Sequence, residues 1–299
     1  MITTIQLTKK FGGFTALDSF NTEIPSGSIY GLVGSNGSGK STLLRTISGI
    51  YRPDSGEIRL DGEAPFENVE VKSRVFHVSD DLYFLPQSTM DDMAKFYSGL
   101  YSNFSQEVYR QTCSRFPIDP KKKVNTFSKG MRRQVSLILA LSCRPKYLLL
   151  DEAFDGLDPV IRGAVRKILA DQVSERGMTV VIASHNLREL EDICDFLGLL
   201  HNGKVLLERE IDEVKLGFCK VQAGFKDVPD IGKFTGLDIM QHDRQGSVIN
   251  MVVRGRSQDI IAKLNQLDPL FAETIPLTLE EVFIHEMEAV GYDYSKIVF

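Results

Sequence analysis

The segment Gly34-Ser35-Asn36-Gly37-Ser38-Gly39-Lys40-Ser41 constrains this 299-residue chain more than any other. Its spacing, Gly-x4-Gly-Lys-Ser, predicts a loop whose backbone N–H groups curl around a phosphate. Such a loop works only between a buried strand and a helix, because the helix N-terminus adds positive potential at the anion. The flanking sequence supplies both. Ser28 to Val33 reads as a short buried strand, and residues 41 to 49 read as a helix ending at Gly49. Lys40 would set a point charge on the β- and γ-phosphates, and Ser41 would offer its hydroxyl to Mg²⁺. Ser35, Asn36, Gly37, Ser38, Gly39 and Thr42 complete the expected cradle. The competing reading is a glycine turn with a surface lysine, which gives no reason for the strand–loop–helix setting.

A second signal is Tyr147-Leu-Leu-Leu-Asp151-Glu152. A hydrophobic strand ending in a carboxylate predicts Asp151 beside the phosphate loop, holding the Mg²⁺ shell. Glu152 is then placed to orient and deprotonate an attacking water. Tyr147 to Leu150 and Thr179 to Ala183 are short apolar runs, the mark of strands buried on both faces of a parallel sheet. Helical pattern separates them, so the expected fold is α/β and doubly wound.

These motifs resemble the ATP-binding subunits of ABC transporters over about residues 2 to 212. The resemblance implies a P-loop NTPase of ABC type at 1–214, with a helical subdomain at about 85–145. Ser128-Lys129-Gly130-Met131 resembles the family signature, which in the family caps a phosphate held by a second copy. Gly156-Leu157-Asp158 resembles the loop that follows the catalytic glutamate, placing Asp158 at the nucleotide. His185, directly after a strand, resembles the histidine that contacts the γ-phosphate. Phe11 matches the aromatic that stacks on adenine, and a core or edge role for it stays open. The chain departs from the family where a glutamine is usual: Asp80, in Ser79-Asp80-Asp81, stands there and becomes the candidate third metal contact. Gln87 reads as a surface residue. Arg132 and Arg133 read as a solvated helix face.

Ser88 is expected to precede a helix to about Tyr101, and Ser105 to cap one that stops near Pro117. A third helix should run from Ser128 to about Cys143. Tyr83, Phe84, Phe96, Tyr97, Tyr101 and Phe104 crowd this insert, either as its own core or as a groove for a membrane subunit. Past Lys215 the pattern changes to a small α+β appendage, 215–299, with strands at Phe218 to Phe225 and Ser247 to Val253. There Ser257 should cap a helix with the stripe Ile260, Ile261, Leu264, Leu267. Thr278 with Glu281 forms a capping box ahead of Leu279, Val282, Phe283 and Met287. The appendage resembles the tail of ABC-2-type exporter ATPases, a subgroup that includes pumps for antibiotics and amphipathic peptides.

Composition narrows the partners. A formal net charge of −5 argues against a whole-protein nucleic-acid binder. Cys113, Cys143, Cys194 and Cys219 form no CxxC pair or zinc spacing and fit a reducing compartment. No run approaches a membrane span. The resemblance implies ATP and Mg²⁺ as ligands, a separate transmembrane permease as partner, and a homodimer or a heterodimer with a paralogous ATPase. It places the chain in the cytoplasm, peripheral on the inner face of the membrane. The rivals are a soluble ABC ATPase acting on nucleic acid or ribosomes, and a low-turnover regulatory module. The single motif set weighs against the first, and Glu152 with His185 against the second.

Overall fold

The N-terminal segment forms an antiparallel pair, where strand–helix alternation was expected. In the computed structural model, which describes residues 1–227, 229–275 and 277–281, β1 (Ile2–Phe11) and β2 (Phe14–Ile24) pair from Ile2 with Ile24 to Phe11 with Phe14. Their two-residue period is broken by register shifts near Gln6 and Ser19, which both adopt positive φ. Bulges of this kind hide a strand from pattern reading, because the inward face changes mid-strand. The chain then enters β3 (Ile29–Val33) and α1 (Lys40–Ile47), and β4 (Ser55–Leu60) returns to pair antiparallel with β1.

The expected parallel sheet follows. After α2 (Val69–Ser73) and β5 (Val75–Val78) come three helices, α3 (Met90–Leu100), α4 (Gln106–Cys113) and α5 (Lys129–Ser142). The chain continues through β6 (Tyr147–Asp151), α6 (Pro159–Arg176), β7 (Thr179–Ser184), α7 (Leu187–Glu191), β8 (Phe196–His201) and β9 (Lys204–Glu210). The sheet order is β5-β6-β7-β3-β8-β9, parallel from β5 through β8. Every residue of β3, β6 and β7 is buried, as their unbroken apolar runs predict. Leu32, Leu44, Leu149, Val181 and Leu200 share one core with Leu17 and Phe20 of the antiparallel sheet. Each such side chain contributes about 1.5–3 kcal/mol by leaving water, so the strand ends that carry the motifs rest on a rigid base.

Helix α3 follows Ser88 as expected; Thr89 caps it, in a reciprocal box with Asp92, and the Ser88 hydroxyl donates to the Leu85 carbonyl. Ser105 and Ser128 cap α4 and α5 as predicted. The aromatics of the insert divide. Tyr97 and Tyr101 pack on Phe76, and Phe104 on Tyr109, while Tyr83 and Phe96 stay exposed.

The chain separates into two compact units, Met1–Glu208 and the segment from Arg209 onward. The second unit contains α8 (Ile211–Gly217), β10 (Phe218–Gly224), β11 (Asp238–Gln245), β12 (Val248–Arg254), α9 (Ser257–Asn265) and β13 (Phe271–Ile275). Its antiparallel sheet has the order β11-β12-β10-β13. Ile260 and Leu264 of α9 pack on Val221, Ala223, Met251 and Val253. Ser257 is the first helical residue rather than the cap, which is Arg256. β11 and β13, which the sequence reading omitted, are largely exposed edges with little apolar signal. The Thr278–Glu281 box is present, with Glu281 N–H donating to Thr278 Oγ1 at 3.2 Å. Val282, Phe283 and Met287 lie outside the described residues. Among the described residues, no helix is long and apolar enough to cross a membrane.

One core group makes stability depend on pH. Burial lowers the His77 pKa from 6.5 to about 4, with Arg45 adding repulsion, and its Nε2 has no partner. The folded protein holds this ring neutral, while the unfolded chain takes up a proton below pH 6.5. Stability is therefore complete above that pH and is lost as pH falls toward 4, by up to about 3 kcal/mol. Urea unfolding of His77→Leu should show a shallower loss between pH 7 and 5 than wild type. Identical slopes would assign the acid sensitivity elsewhere.

Candidate functional site

The buried strand β3 stops at Val33 and delivers the glycine loop to the sheet edge. Gly39 shows why the loop tolerates only glycine there. Its φ is 114°, and a Cβ would lie 2.5 Å from the Ala16 carbonyl. Lys40 is nearly inaccessible: its Nζ donates to the carbonyls of Gly34 and, at 3.2 Å, Ser35, and lies 3.8 Å from Glu152 Oε1. Burial lowers the Lys40 pKa, while the charges of Glu152 and Asp151 oppose that shift. Above the loop opens a cavity of about 220 Å³, lined by Asn36, Gly37, Gly39, Lys40, Ser41 and Thr42. Phe14, Ala16, Asp80 and Glu152 complete its wall. Ser35 and Ser38 belong to the loop without lining this cavity: Ser38 is buried, and its N–H donates to the Ser35 carbonyl at 3.1 Å.

The carboxylates arrive from β6, with β7 between it and β3. Asp151 is fully buried, and neither of its oxygens has a hydrogen-bond partner. Burial raises its pKa and Asp80 adds repulsion, while the Ser41 hydroxyl, Arg45 and Lys40 pull the other way. A buried carboxylate is unpaired at high cost, so Asp151 and Ser41 fit a divalent cation. Glu152 turns out of the strand at φ 48°, its N–H donating to the Ala183 carbonyl at 2.9 Å. That left-handed backbone costs about 1–2 kcal/mol for a residue with a Cβ, and the Glu152 side chain meets His185 and Lys40. Burial raises the Glu152 pKa, and His185 moderates the rise from 3.0 Å, Nδ1 to Oε2. Ligand atoms of Glu152, Asp155 and His185 all lie within 4.8 Å of one another.

The other expected contacts lie outside this cavity. Ser128 is exposed, its Oγ accepting from Met131 N–H at 3.2 Å. Gly130 packs so closely that a Cβ would meet the Gly156 carbonyl at 2.4 Å. Asp158 caps α6, accepting from the N–H groups of Val160 and Ile161. Phe11 does not line the cavity: it meets Tyr51 edge-on at 5.2 Å, and Phe14 holds the rim instead, 60% exposed. The sequence reading missed Phe14 because both aromatics flank one glycine turn. It also misplaced Arg133, which is fully buried and donates to Asp80 Oδ1 at 2.6 Å. Glu189 was missed as well. It is buried, accepts from Ser184 Oγ beside His185 at 3.1 Å, and pairs with Arg162 at 3.2 Å. The only signal was charge spacing on two helices.

A lysine folded into a glycine loop, facing carboxylates across one intervening strand, is how P-loop nucleoside triphosphatases bind and cleave a phosphoanhydride. Comparison with known proteins narrows that class. Residues 17–155 match the ABC transporter family. The ABC transporter ATP-binding protein YtrB of Bacillus subtilis (strain 168) is 31% identical over 284 residues, covering 95% of this chain and 97% of that protein. A match of that length runs through most of the second unit. The bacitracin transport ATP-binding protein BcrA of Bacillus licheniformis is 34% identical over 220 residues, 72% of this chain and 71% of that one. A dimeric ATP-binding cassette solved in a post-hydrolysis state with ADP and Pi shares the fold, with TM-score 0.63 and 23% identity over 71% of this chain and 99% of that one. The chain belongs to the ABC transporter ATP-binding proteins. It is an ATPase subunit that powers transport through a separate permease.

Replacing Lys40 removes the one buried cation at the loop. Lys40→Ala should weaken ATP binding by at least about tenfold in calorimetry. Unchanged affinity would separate the glycine loop from the nucleotide.

Proposed function

We propose that two copies of this chain, or one copy and a paralogue, clasp two ATP molecules head to tail. The observation that carries this reading is the position of Ser128 and Gly130. Ser128 caps a helix of 14 residues and Gly130 lies in its first turn; neither lines its own chain's phosphate cavity, and Ser128 and Lys129 are exposed. A helix N-terminus in that state suits an anion supplied by another molecule. The γ-phosphate then bridges both chains. Closure follows because the ligand binds the closed state more tightly than the open one.

Within each site Lys40 gives up its loop carbonyls for the β- and γ-phosphates. Asp151 and Ser41, with Asp80 nearby, would hold Mg²⁺, which would offset phosphate charge and polarise the γ-phosphoryl group. Glu152 Oε takes a proton from water as the water oxygen bonds to the γ-phosphorus and the bond to the β–γ bridging oxygen breaks. His185 holds Glu152 in place and can meet the γ-phosphate once that pair opens. ADP and inorganic phosphate leave without a common bridge, so the two chains part.

The same reading places the chain in the cytoplasm, on the inner face of the membrane, attached through its permease. Phe96 and Leu100 are exposed one turn apart on α3, with Tyr83 also exposed, and apolar anchors of this kind suit a docking helix. For cargo we favour peptides, antibiotics or similar amphipathic compounds, on the likeness to a bacitracin transport protein and the ABC-2-type tail. Membership among transporter subunits weighs against action on nucleic acid or ribosomes.

Glu152→Gln keeps every binding group and loses the base. With ATP and Mg²⁺ it should elute as a stable dimer on a sizing column while phosphate release falls at least about a hundredfold. A monomer peak at saturating ATP would count against the clasp. Ser128→Arg should bind ATP normally yet lose most turnover; wild-type turnover would leave Ser128 as a helix cap alone.

A further inference from the structure

Asp80 borders two cavities. One is the phosphate cavity, whose wall it shares with Lys40, Ser41 and Glu152. The other, also about 220 Å³, is lined by Asp80, Asp81 and Leu82 with Lys129, Arg132 and Arg133 from the first turns of α5. A single charge-assisted contact joins Asp80 to that helix: Arg133 Nη2 donates to Asp80 Oδ1 at 2.6 Å. The partners are unequal. The Arg133 side chain is 1% exposed, and that of Asp80 is 52% exposed. Arg133 Nε and Nη1 are buried with no acceptor. A guanidinium with five N–H donors therefore depends on one short contact. A second carboxylate waits close by, with Asp155 Oδ2 4.0 Å from the same Nη2.

This pair is built for exchange. Asp80 follows β5 on an exposed segment and borders both cavities, and its charge already bears on Asp151. A divalent cation beside Asp151 and Ser41 would compete with Arg133 for the Asp80 carboxylate. A buried guanidinium that loses its partner must find another, and Asp155 is the other carboxylate within 4.0 Å of it. Asp155 precedes Gly156, whose carbonyl presses on Gly130 of α5.

We propose that the Asp80–Arg133 pair is a cation-sensitive latch, in which a divalent cation arriving with the nucleotide draws Asp80 off Arg133 and passes Arg133 to Asp155. Occupancy of the phosphate cavity thereby reaches the turns of α5 that carry Ser128 and Gly130. The latch rests on the reading of Asp151, Ser41 and Asp80 as the cation's contacts. Linkage fixes its sign: Arg133 and the cation share one carboxylate, so each weakens the other's hold on it.

The test is calorimetric titration of Mg²⁺ into the full chain saturated with a non-hydrolysable ATP analogue. Arg133→Met, close in volume, should tighten Mg²⁺ binding by about three- to tenfold, and Asp80→Asn should weaken it by a similar factor. In the double variant the tightening should vanish, because no shared carboxylate remains. Tightening of equal size in the Asp80→Asn background would be plain charge repulsion and would overturn the latch. So would an Arg133→Met that folds normally and binds Mg²⁺ no more tightly than wild type. Arg133→Lys covers the case in which Arg133→Met does not fold: it keeps the charge but loses the forked reach, so the latch predicts tightening and repulsion predicts none. Asp80→Asn with unchanged Mg²⁺ affinity would overturn the cation-site reading and the latch together. Weakening by Asp80→Asn without tightening in the arginine variants would overturn the latch alone.

Discussion

The structure of the first unit turns on a charge kept away from water. Lys40 lies inside its own glycine loop, held by two backbone carbonyls and faced by Glu152 at 3.8 Å. Burying an ammonium is costly unless its donors are met and an opposite charge stands near. The fold meets both demands through backbone geometry. Gly39 lets the loop touch the Ala16 carbonyl, and three strands without an exposed residue hold Val33, Asp151 and Ser184 at one end of the sheet. That arrangement is ready for a polyphosphate, whose oxygens can replace the loop carbonyls at little reorganisation cost.

The site carries more carboxylates than cations. Asp80, Asp151, Glu152 and Asp155 gather near Lys40, Arg133 and His185, and neither Asp151 oxygen has a well-formed hydrogen bond. Burial raises the pKa of both Asp151 and Glu152, so each carboxylate loses stability as it ionises. A cation would relieve Asp151. Contact between His185 and phosphate would free Glu152 to act as a base.

What the sequence made legible follows from how local each signal is. The phosphate loop, β6 and β7 were readable because glycine spacing and unbroken apolar runs are properties of adjacent residues. β1 and β2 were not, because bulges at Gln6 and Ser19 reverse the inward face within one strand. Thr89 caps α3 because Asp92, three residues on, returns its hydrogen bond, whereas the third residue after Ser88 is Asp91, which bonds Tyr109. Phe11 and Phe14 are indistinguishable in sequence; only the turn at Gly12-Gly13 decides which one borders the cavity. Arg133 sits among polar neighbours that suggest solvent, yet its burial depends on Asp80, fifty-three residues away. Glu189 and Arg162 pair across two helices for the same kind of reason.

The contact between Gly130 and the Gly156 carbonyl gives these separate pieces a common mechanical consequence. With only 2.4 Å between a Cβ at Gly130 and the Gly156 carbonyl, the first turn of α5 packs directly on the loop after Glu152. Glu152 begins that loop, and Asp158 ends it by capping α6, where Arg162 reaches Glu189 and, through Ser184, the backbone beside His185. The base, its histidine and the first turn of α5 are thereby joined through one chain of contacts. Packed elements of this kind change between discrete arrangements rather than by graded strain. The site that cuts the phosphoanhydride and the surface that would meet a second chain are consequently parts of one body.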